Sequence, residues 1–188
     1  MNNRNLEKKI ILGSANFTQN YGMGSTRVSY NEIKKILNLA KKSNIYEIDT
    51  AEAYLKNKKI FKNIKKKFLI LTKITPDNRW ISLEFCQNKL ENHFMNFNEN
   101  KINTLFFHDI EILKSKNGKK IFENLEKLKK KKYFQKIGVS IYDPNCLDFI
   151  VKNYNFNVVQ CPYNILDKRM LNTKWLDKLK KLGIETHV

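Results

Sequence analysis

Short β-branched or aromatic runs alternate along this chain with longer segments that repeat apolar residues at helical spacing. This alternation is typical of βα units on a parallel sheet, and runs that are mostly apolar suit strands covered on both faces. We predict strands beginning near seven positions: Ile10, Ile45, Phe68, Ile102, Ile137, Val158 and Ile184. Seven strands exceed half of a doubly wound fold and approach an eight-stranded (β/α) barrel.

The predicted strand count stops one short of a closed barrel. Barrels of this kind typically have about 250 residues, whereas this sequence has 188 and reaches Val188 inside the seventh predicted strand. We therefore expect an α/β fold, an incomplete (β/α)8 TIM barrel with parallel strands 1 to 7 and the last βα units missing. No linker divides the sequence, so we expect one domain over residues 1–188, truncated in strand 7. Its first and last strands would have unpaired edges through which copies could associate.

Apolar stripes at i, i+3, i+4 and i+7 predict helices between the strands. One follows Ser29, a plausible N-cap, another follows Pro144, and a third ends before Gly183, a natural C-cap. The stripes, which we interpret as core, are Ile33, Ile36, Leu37 and Ala40; Ile121, Phe122, Leu125 and Leu128; Leu147, Ile150, Val151 and Tyr154; and Trp175, Leu176, Leu179 and Leu182.

The formal charge of +18 raises the possibility of a nucleic-acid partner. However, 32 of the 36 basic residues are Lys and only 4 are Arg, while specific phosphate and base recognition favours the planar Arg fork. The run from Lys127 to Lys132 is explained by the polar face and C-terminal end of a helix. The composition therefore argues against specific nucleic-acid binding and leaves a general polyanion binder as the weakest hypothesis.

The sequence contains no apolar run of the roughly 20 residues that a membrane helix needs, and no secretory leader is visible at its N-terminus. Its three cysteines, Cys86, Cys146 and Cys161, cannot all pair and lack metal-ligand spacing, so we expect reduced, mostly buried thiols and no metal. We predict a cytoplasmic protein without membrane contact. His93 and His187 show no partner in the sequence and are interpreted as structural residues.

Three apolar runs end on an ionisable residue: Asp49, Lys73 and His108. Tyr54 stands five residues beyond Asp49, so four titratable side chains are predicted at one rim of the sheet, where barrel enzymes keep their catalytic groups. Each also has a simpler interpretation. Asp49 could be an N-cap, Lys73 one lysine among many, His108 a hydrogen-bonded rim residue, and Tyr54 an aromatic that packs on Ile60 or Phe61.

Six motifs in this order resemble the aldo-keto reductase family over nearly the whole chain. They are Leu12-Gly13-Ser14-Ala15-Asn16-Phe17; Ile48-Asp49-Thr50-Ala51 followed by Tyr54; Leu71-Thr72-Lys73; Phe107-His108-Asp109; Ile137-Gly138-Val139-Ser140; and the stretch from Gln160 to Arg169. The resemblance implies a catalytic tetrad of Tyr54, Asp49, Lys73 and His108. Tyr54 would be the acid, because reduction of a carbonyl creates an alkoxide that must be protonated. A phenol is a poor acid at neutral pH unless a cation such as Lys73 stabilises its anion, and Asp49 would hold that cation in place.

The resemblance further implies a nicotinamide cofactor, NADPH (NADP) or NADH (NAD), bound across the same rim. Ser140 and Gln160 would hold its carboxamide, and Gly13, Ser14 and Asp49 would lie close to it. Where the family has an asparagine after the serine, this sequence has Ile141. The segment after Tyr54 also departs from the family, since Leu55 replaces a glycine and Lys58 reverses a charge.

These features support a first hypothesis, an NAD(P)H-dependent reductase of small-molecule carbonyl compounds. The stretch from Tyr163 to Arg169 resembles reductases of surface-sugar pathways, which suggests a sugar-like substrate. The alternative from another class is a non-catalytic remnant or interaction protein that retains the fold.

Overall fold

The computed structural model describes residues 10–18, 28–54, 68–97 and 101–188. Within these ranges the chain forms seven strands, which are β1 (Leu12–Gly13), β2 (Glu47–Asp49), β3 (Leu69–Ile74), β4 (Lys101–Phe107), β5 (Lys136–Ser140), β6 (Val158–Gln160) and β7 (Glu185–His187). The α-helices are α1 (Ala15–Thr18), α2 (Tyr30–Lys42), α3 (Leu83–Phe94), α4 (Glu111–Lys114), α5 (Gly118–Lys130), α6 (Leu147–Asn153), α7 (Arg169–Asn172) and α8 (Trp175–Lys181). Short 3-10 helices cover Glu52–Tyr54, Asn78–Ile81, Met95–Phe97 and Pro144–Cys146.

The strands belong to one sheet in the order β1-β2-β3-β4-β5-β6-β7. The pairings are parallel, with Asp49 of β2 opposite Gly13 and Leu71, and Ser140 of β5 opposite Gln160. Helical segments connect the successive strands. The predicted α/β architecture of an incomplete (β/α)8 barrel is confirmed, and the seven strands lie within three residues of their predicted starts.

Contacts group the chain into two compact units. The first comprises Met1–Lys73 and Leu90–Asn103, and the second comprises Ile74–Lys89 and Thr104–Val188. The interpretation of the whole sequence as a single domain stays a prediction, as does self-association through β1 and β7, the terminal strands of the order above.

Helix α2 of the first unit shows how local sequence defines an element. Ser29 and Glu32 form a capping box, in which the Ser29 hydroxyl accepts from the Glu32 amide and the Glu32 carboxylate accepts from the Ser29 amide. The predicted stripe buries Ile33, Leu37 and Ala40. The predicted N-cap at Ser29 and the predicted helix are thus confirmed, and the role of Glu32 in the capping box is added by the structure.

The second unit has an aromatic core. The Phe122 ring of α5 stacks on Phe107 of β4 with centroids 6.2 Å apart, and Tyr154 and Phe156 each lie 5.0 Å from it. The Tyr154 hydroxyl donates to the Leu113 carbonyl at 2.5 Å, so the buried phenol is not left without a partner. The predicted stripes of α5 and α6 thus form core, as expected.

The end of α8 follows its sequence prediction at Gly183, but Leu182, which was expected in the core stripe, is 57% exposed. Gly183 has φ of +69°, a conformation that glycine adopts without a Cβ clash, and its amide donates to the Lys180 carbonyl. The chain then enters β7. Among the described residues, no helix is long and apolar enough to cross a membrane.

Candidate active site

A buried ion pair joins the ends of β2 and β3 in the first unit. Lys73 lies two residues past Leu71, the register partner of Asp49, so both side chains point to the same face of the sheet. The Lys73 Nζ donates to Asp49 Oδ1 at 2.5 Å and Oδ2 at 2.7 Å. Lys73 is only 5% exposed. This burial shows that Lys73 is not one more solvated lysine.

Backbone contacts fix the position of that pair. The Ser14 amide and hydroxyl both donate to the Asp49 carbonyl, at 2.9 and 2.8 Å. The next amide, that of Thr50, donates to the Leu71 carbonyl at 2.8 Å, and the Thr50 carbonyl accepts from Lys73 Nζ at 3.4 Å. These bonds fix the backbone of Asp49, and therefore its carboxylate, at the ends of β1, β2 and β3. Ser14 contributes by binding the Asp49 carbonyl.

The opposite face of β3 carries a second polar contact, which the sequence did not reveal. Thr72 and His93 are both buried, and the Thr72 Oγ1 lies 2.9 Å from His93 Nε2. Burial lowers the pKa of His93 to about 4, so the ring is neutral at pH 7. The expectation that His93 lacks a partner was wrong, because sequence alone does not show which helix residue meets a given strand residue.

Tyr54 ends the 3-10 helix that follows β2. Its amide donates to the Ala51 carbonyl at 3.0 Å, and its side chain is half-buried. Residues 55–67 lie outside the described residues, so the departures at Leu55 and Lys58 and the proposed packing on Ile60 or Phe61 fall there.

His108 directly follows β4 in the second unit. Its amide donates to the carbonyl of Ile74, the residue after Lys73, at 2.8 Å, and its side chain is half-buried. Continued alternation along β4 places His108 on the same face as Phe106. The backbone contact therefore fixes the strand end from which this side chain extends.

Three strand ends form a polar row in the second unit. Ser140, Gln160 and His187 are register partners on β5, β6 and β7, so their side chains share one face of the sheet. The Gln160 Oε1 and the His187 Nδ1 are buried, and neither has a hydrogen-bond partner within the described ranges. His187 does have one partner, since its Nε2 lies 2.9 Å from Glu185 Oε1, which corrects the sequence-based expectation of none.

The floor beneath this row is aromatic. The Phe106 ring covers Gly138, where an added Cβ would lie 2.4 Å from the ring, and its centroid is 6.0 Å from that of His187. Only a residue without a side chain fits under Phe106. Packing at Gly138 therefore supports the row of polar side chains two residues further along.

A cleft of about 620 Å³ opens in the same unit, beside the end of β5. Ser140 lies on its wall, and its apolar lining consists of Ile110, Ile141, Tyr142 and Phe149. The volume falls within the roughly 300–1,000 Å³ of small-molecule sites. The cleft is not predictable from the sequence, because it is formed by two segments, after β4 and after β5, that are distant in the chain.

The polar groups of the cleft are largely committed to local bonds. Asp109 Oδ1 accepts from the Glu111 amide at 3.0 Å, and Asp143 Oδ1 accepts from the Asn145 amide at 3.0 Å. Lys114 pairs with Glu111 at 2.9 Å. Three carboxylates and one paired ammonium leave this cleft with a net negative formal charge.

The three cysteines are free thiols, of which Cys86 and Cys161 are buried and Cys146 is half-buried on the wall of the cleft. Burial raises the pKa of each thiol to about 11. All three are therefore protonated at pH 7, and their state as free, mostly buried thiols agrees with the prediction.

A sequence model of the Aldo/keto reductase family matches residues 9–188. A search of curated proteins found no match.

Solved reductases share the fold at low sequence identity. A Pseudomonas aeruginosa protein assigned to the aldo-keto reductases matches with a TM-score of 0.74 and 18% identity, over 95% of this chain and 71% of its own. An aldo-keto reductase from Bacillus halodurans, solved in its holo form, matches with a TM-score of 0.71 and 17% identity, over 95% of this chain and 60% of its own. The aldose reductase of Schistosoma japonicum matches with a TM-score of 0.64 and 16% identity, over 95% of this chain and 64% of its own. This chain thus spans 60 to 71% of the length of these proteins.

Proposed function

This chain belongs to the aldo/keto reductase family, and we propose that it acts as an NAD(P)H-dependent carbonyl reductase whose proton-transfer group is Tyr54. The observation that carries the proposal is the buried pair of Asp49 and Lys73. Burying a charge costs free energy unless an oppositely charged group with good geometry pairs with it. The presence of such a pair at a strand end therefore favours a functional role.

The proposed mechanism begins with acid strength. A phenol has a pKa of about 10 and donates a proton poorly at pH 7. An ammonium at Lys73 would stabilise the phenolate left on Tyr54, and the bidentate contact with Asp49 holds the Lys73 side chain in place. His108 would orient the substrate oxygen or share the proton.

The residues of the second unit fit a nicotinamide cofactor. Bound NADPH or NADH would supply the hydride that reduces the carbonyl carbon. The buried, unpaired Gln160 Oε1 is an acceptor suited to the amide group of a carboxamide, and Ser140 stands beside it in register.

The cleft beside Ser140 suggests the class of substrate. Its apolar wall with Tyr142 and Phe149 suits the carbon face of a sugar-like ring, and its carboxylates Asp109 and Asp143 disfavour phosphate or carboxylate groups. We therefore propose an uncharged, sugar-like aldehyde or ketone. Its location in the cytoplasm stays a sequence-based prediction.

The test is NADPH oxidation by the 188-residue chain, followed by absorbance, with neutral and phosphorylated carbonyl compounds compared at equal concentration. We expect turnover of neutral compounds that falls by at least about a hundredfold in Tyr54→Phe, because general acid catalysis contributes about 10²–10⁴-fold. The variant removes one hydroxyl and should bind NADPH as the parent does. Binding without turnover in the parent would instead favour a non-catalytic protein that retains the fold.

A further inference from the structure

Two neighbouring residues at the ends of β6 and β7 each have an unpaired polar atom. Gln160 and His187 are register partners on neighbouring parallel strands, which run about 4.8 Å apart. The Gln160 Oε1 and His187 Nδ1 are both buried without a partner among the described residues. A buried polar atom without a hydrogen bond costs free energy, so a donor that reached these two atoms would stabilise the site.

The contacts of Glu185 define the proton arrangement of the His187 ring. Burial raises the pKa of the Glu185 carboxyl, but hydrogen bonds from Lys136 and His187 outweigh that effect and hold the pKa below its usual value. An ionised carboxylate only accepts hydrogen bonds, so the His187 Nε2, at 2.9 Å, must be the donor. In the neutral ring the Nδ1 is then an acceptor.

Two adjacent acceptors are satisfied together by a group with two N–H donors, and a primary amide provides both on one nitrogen. The carboxamide of a nicotinamide is such a group. At the residue after Ser140, the side chain of Ile141 is apolar and 3% exposed, so it offers no hydrogen bond to that carboxamide.

We propose that His187 binds the carboxamide of the nicotinamide cofactor through Nδ1, next to Gln160, and so supplies the hydrogen bond that Ile141 cannot make. This inference depends on the cofactor use proposed above. Glu185 acts through His187 by fixing its tautomer, and Phe106 holds the imidazole ring from its side, with centroids 6.0 Å apart.

The test compares two variants by calorimetric titration with NADPH at one fixed pH. His187→Phe keeps a ring against Phe106 but removes the acceptor, and we expect affinity to fall about 5- to 20-fold, the value of one or two ordinary hydrogen bonds. His187→Asn retains a polar atom near the Nδ1 position and should stay within about threefold of the parent.

Two matched ligands test whether the loss of affinity in His187→Phe arises at the carboxamide of the cofactor. Nicotinamide-free 2′-phospho-ADP-ribose should bind His187→Phe and the parent equally. The 3-acetylpyridine analogue of NADPH, which has a methyl group in place of the amide nitrogen, should also show no loss in the variant. A spectroscopic readout is the ¹⁵N shift of His187 Nδ1 on adding NADPH, in a chain with only three histidines.

An equal loss for all three ligands, or unchanged NADPH affinity in His187→Phe, would overturn the assignment of His187 while leaving the proposed function intact. If the parent binds NADPH no more tightly than 2′-phospho-ADP-ribose, the nicotinamide contributes no affinity and the inference also fails. Absence of any cofactor binding by the parent would overturn the proposed function itself.

Discussion

The ion pair of Asp49 and Lys73 in the first unit and the row of Ser140, Gln160 and His187 in the second are both polar groups at strand ends, yet they differ in how they are satisfied. The ammonium of Lys73 has protein acceptors, two carboxylate oxygens and one carbonyl. The row contains two buried acceptors without a described partner.

This difference separates two tasks that a site can have. A charged side chain that is already paired has a fixed position before any ligand binds. A group that adjusts the acidity of a proton donor needs such a fixed position. Acceptors left unpaired gain their hydrogen bonds only when a ligand binds. We therefore expect substitutions in the two regions to change the free energy of unfolding in opposite directions.

The largest effect is expected from breaking the ion pair. Lys73→Met and Asp49→Asn should each lower the free energy of unfolding by about 3 kcal/mol, because each removes the charged partner of a largely buried group, with side-chain exposures of 6% for Lys73 and 20% for Asp49. Urea unfolding of both single variants and the double variant measures this, and the double variant should lose less than the sum. Losses under about 1 kcal/mol would mean that the pair behaves as a surface salt bridge.

The next effect is a loss of stability at acidic pH that arises from His93, which contacts the other face of β3. Because the pKa of folded His93 is lowered to about 4 while an unfolded histidine has about 6.5, the unfolded state binds the proton first as the pH falls. Stability is therefore lost from about pH 6.5 down to about 4, by roughly 3 kcal/mol at 1.36 kcal/mol per pH unit. His93→Gln, which can still bond to Thr72, should flatten this part of the profile, and an unchanged profile would contradict the assignment.

A smaller effect is expected in the floor beneath the row. Gly138→Ala places a Cβ 2.4 Å from the Phe106 ring, and such overpacking typically costs about 1–3 kcal/mol. Gly13→Ala is the matched control, since its Cβ meets no described atom within 4 Å, and its stability should stay within about 0.5 kcal/mol. Adding Phe106→Leu should recover part of the loss at Gly138, and full additivity would show that the ring is not the cause.

The smallest effect has the opposite sign. Gln160→Met removes a buried acceptor that has no described partner, so stability should rise by about 1 kcal/mol while NADPH affinity falls. Thermal unfolding with and without NADPH separates the two changes. A loss of stability in the absence of cofactor would show that Gln160 is already satisfied within the protein and would remove the contrast between the regions.

Local patterns were sufficient for much of the fold. Strand runs, the N-cap at Ser29 and the glycine after α8 depend on neighbouring residues, and the structure confirmed them. Within the proposed tetrad, the pairing of Asp49 with Lys73 follows from register on adjacent strands and was foreseeable once the family resemblance was seen.

Features that depend on distant chain segments were not predictable from the sequence. Thr72 meets His93 of α3 because the helix packs against the outer face of β3, and nothing in the spacing of 21 residues shows it. His187 depends on strand register with Gln160, and the cleft depends on two loops. The sequence contained one hint, since Ile141 stands where the family has a hydrogen-bonding residue.

The central claim is best tested by titrating NADPH into the 188-residue chain and following cofactor fluorescence. We predict saturable binding with a Kd below about 1 mM, equivalent to at least about 4 kcal/mol of binding free energy, and weaker binding by Gln160→Met. A flat titration of the parent chain, at concentrations where the protein is folded, would contradict the account.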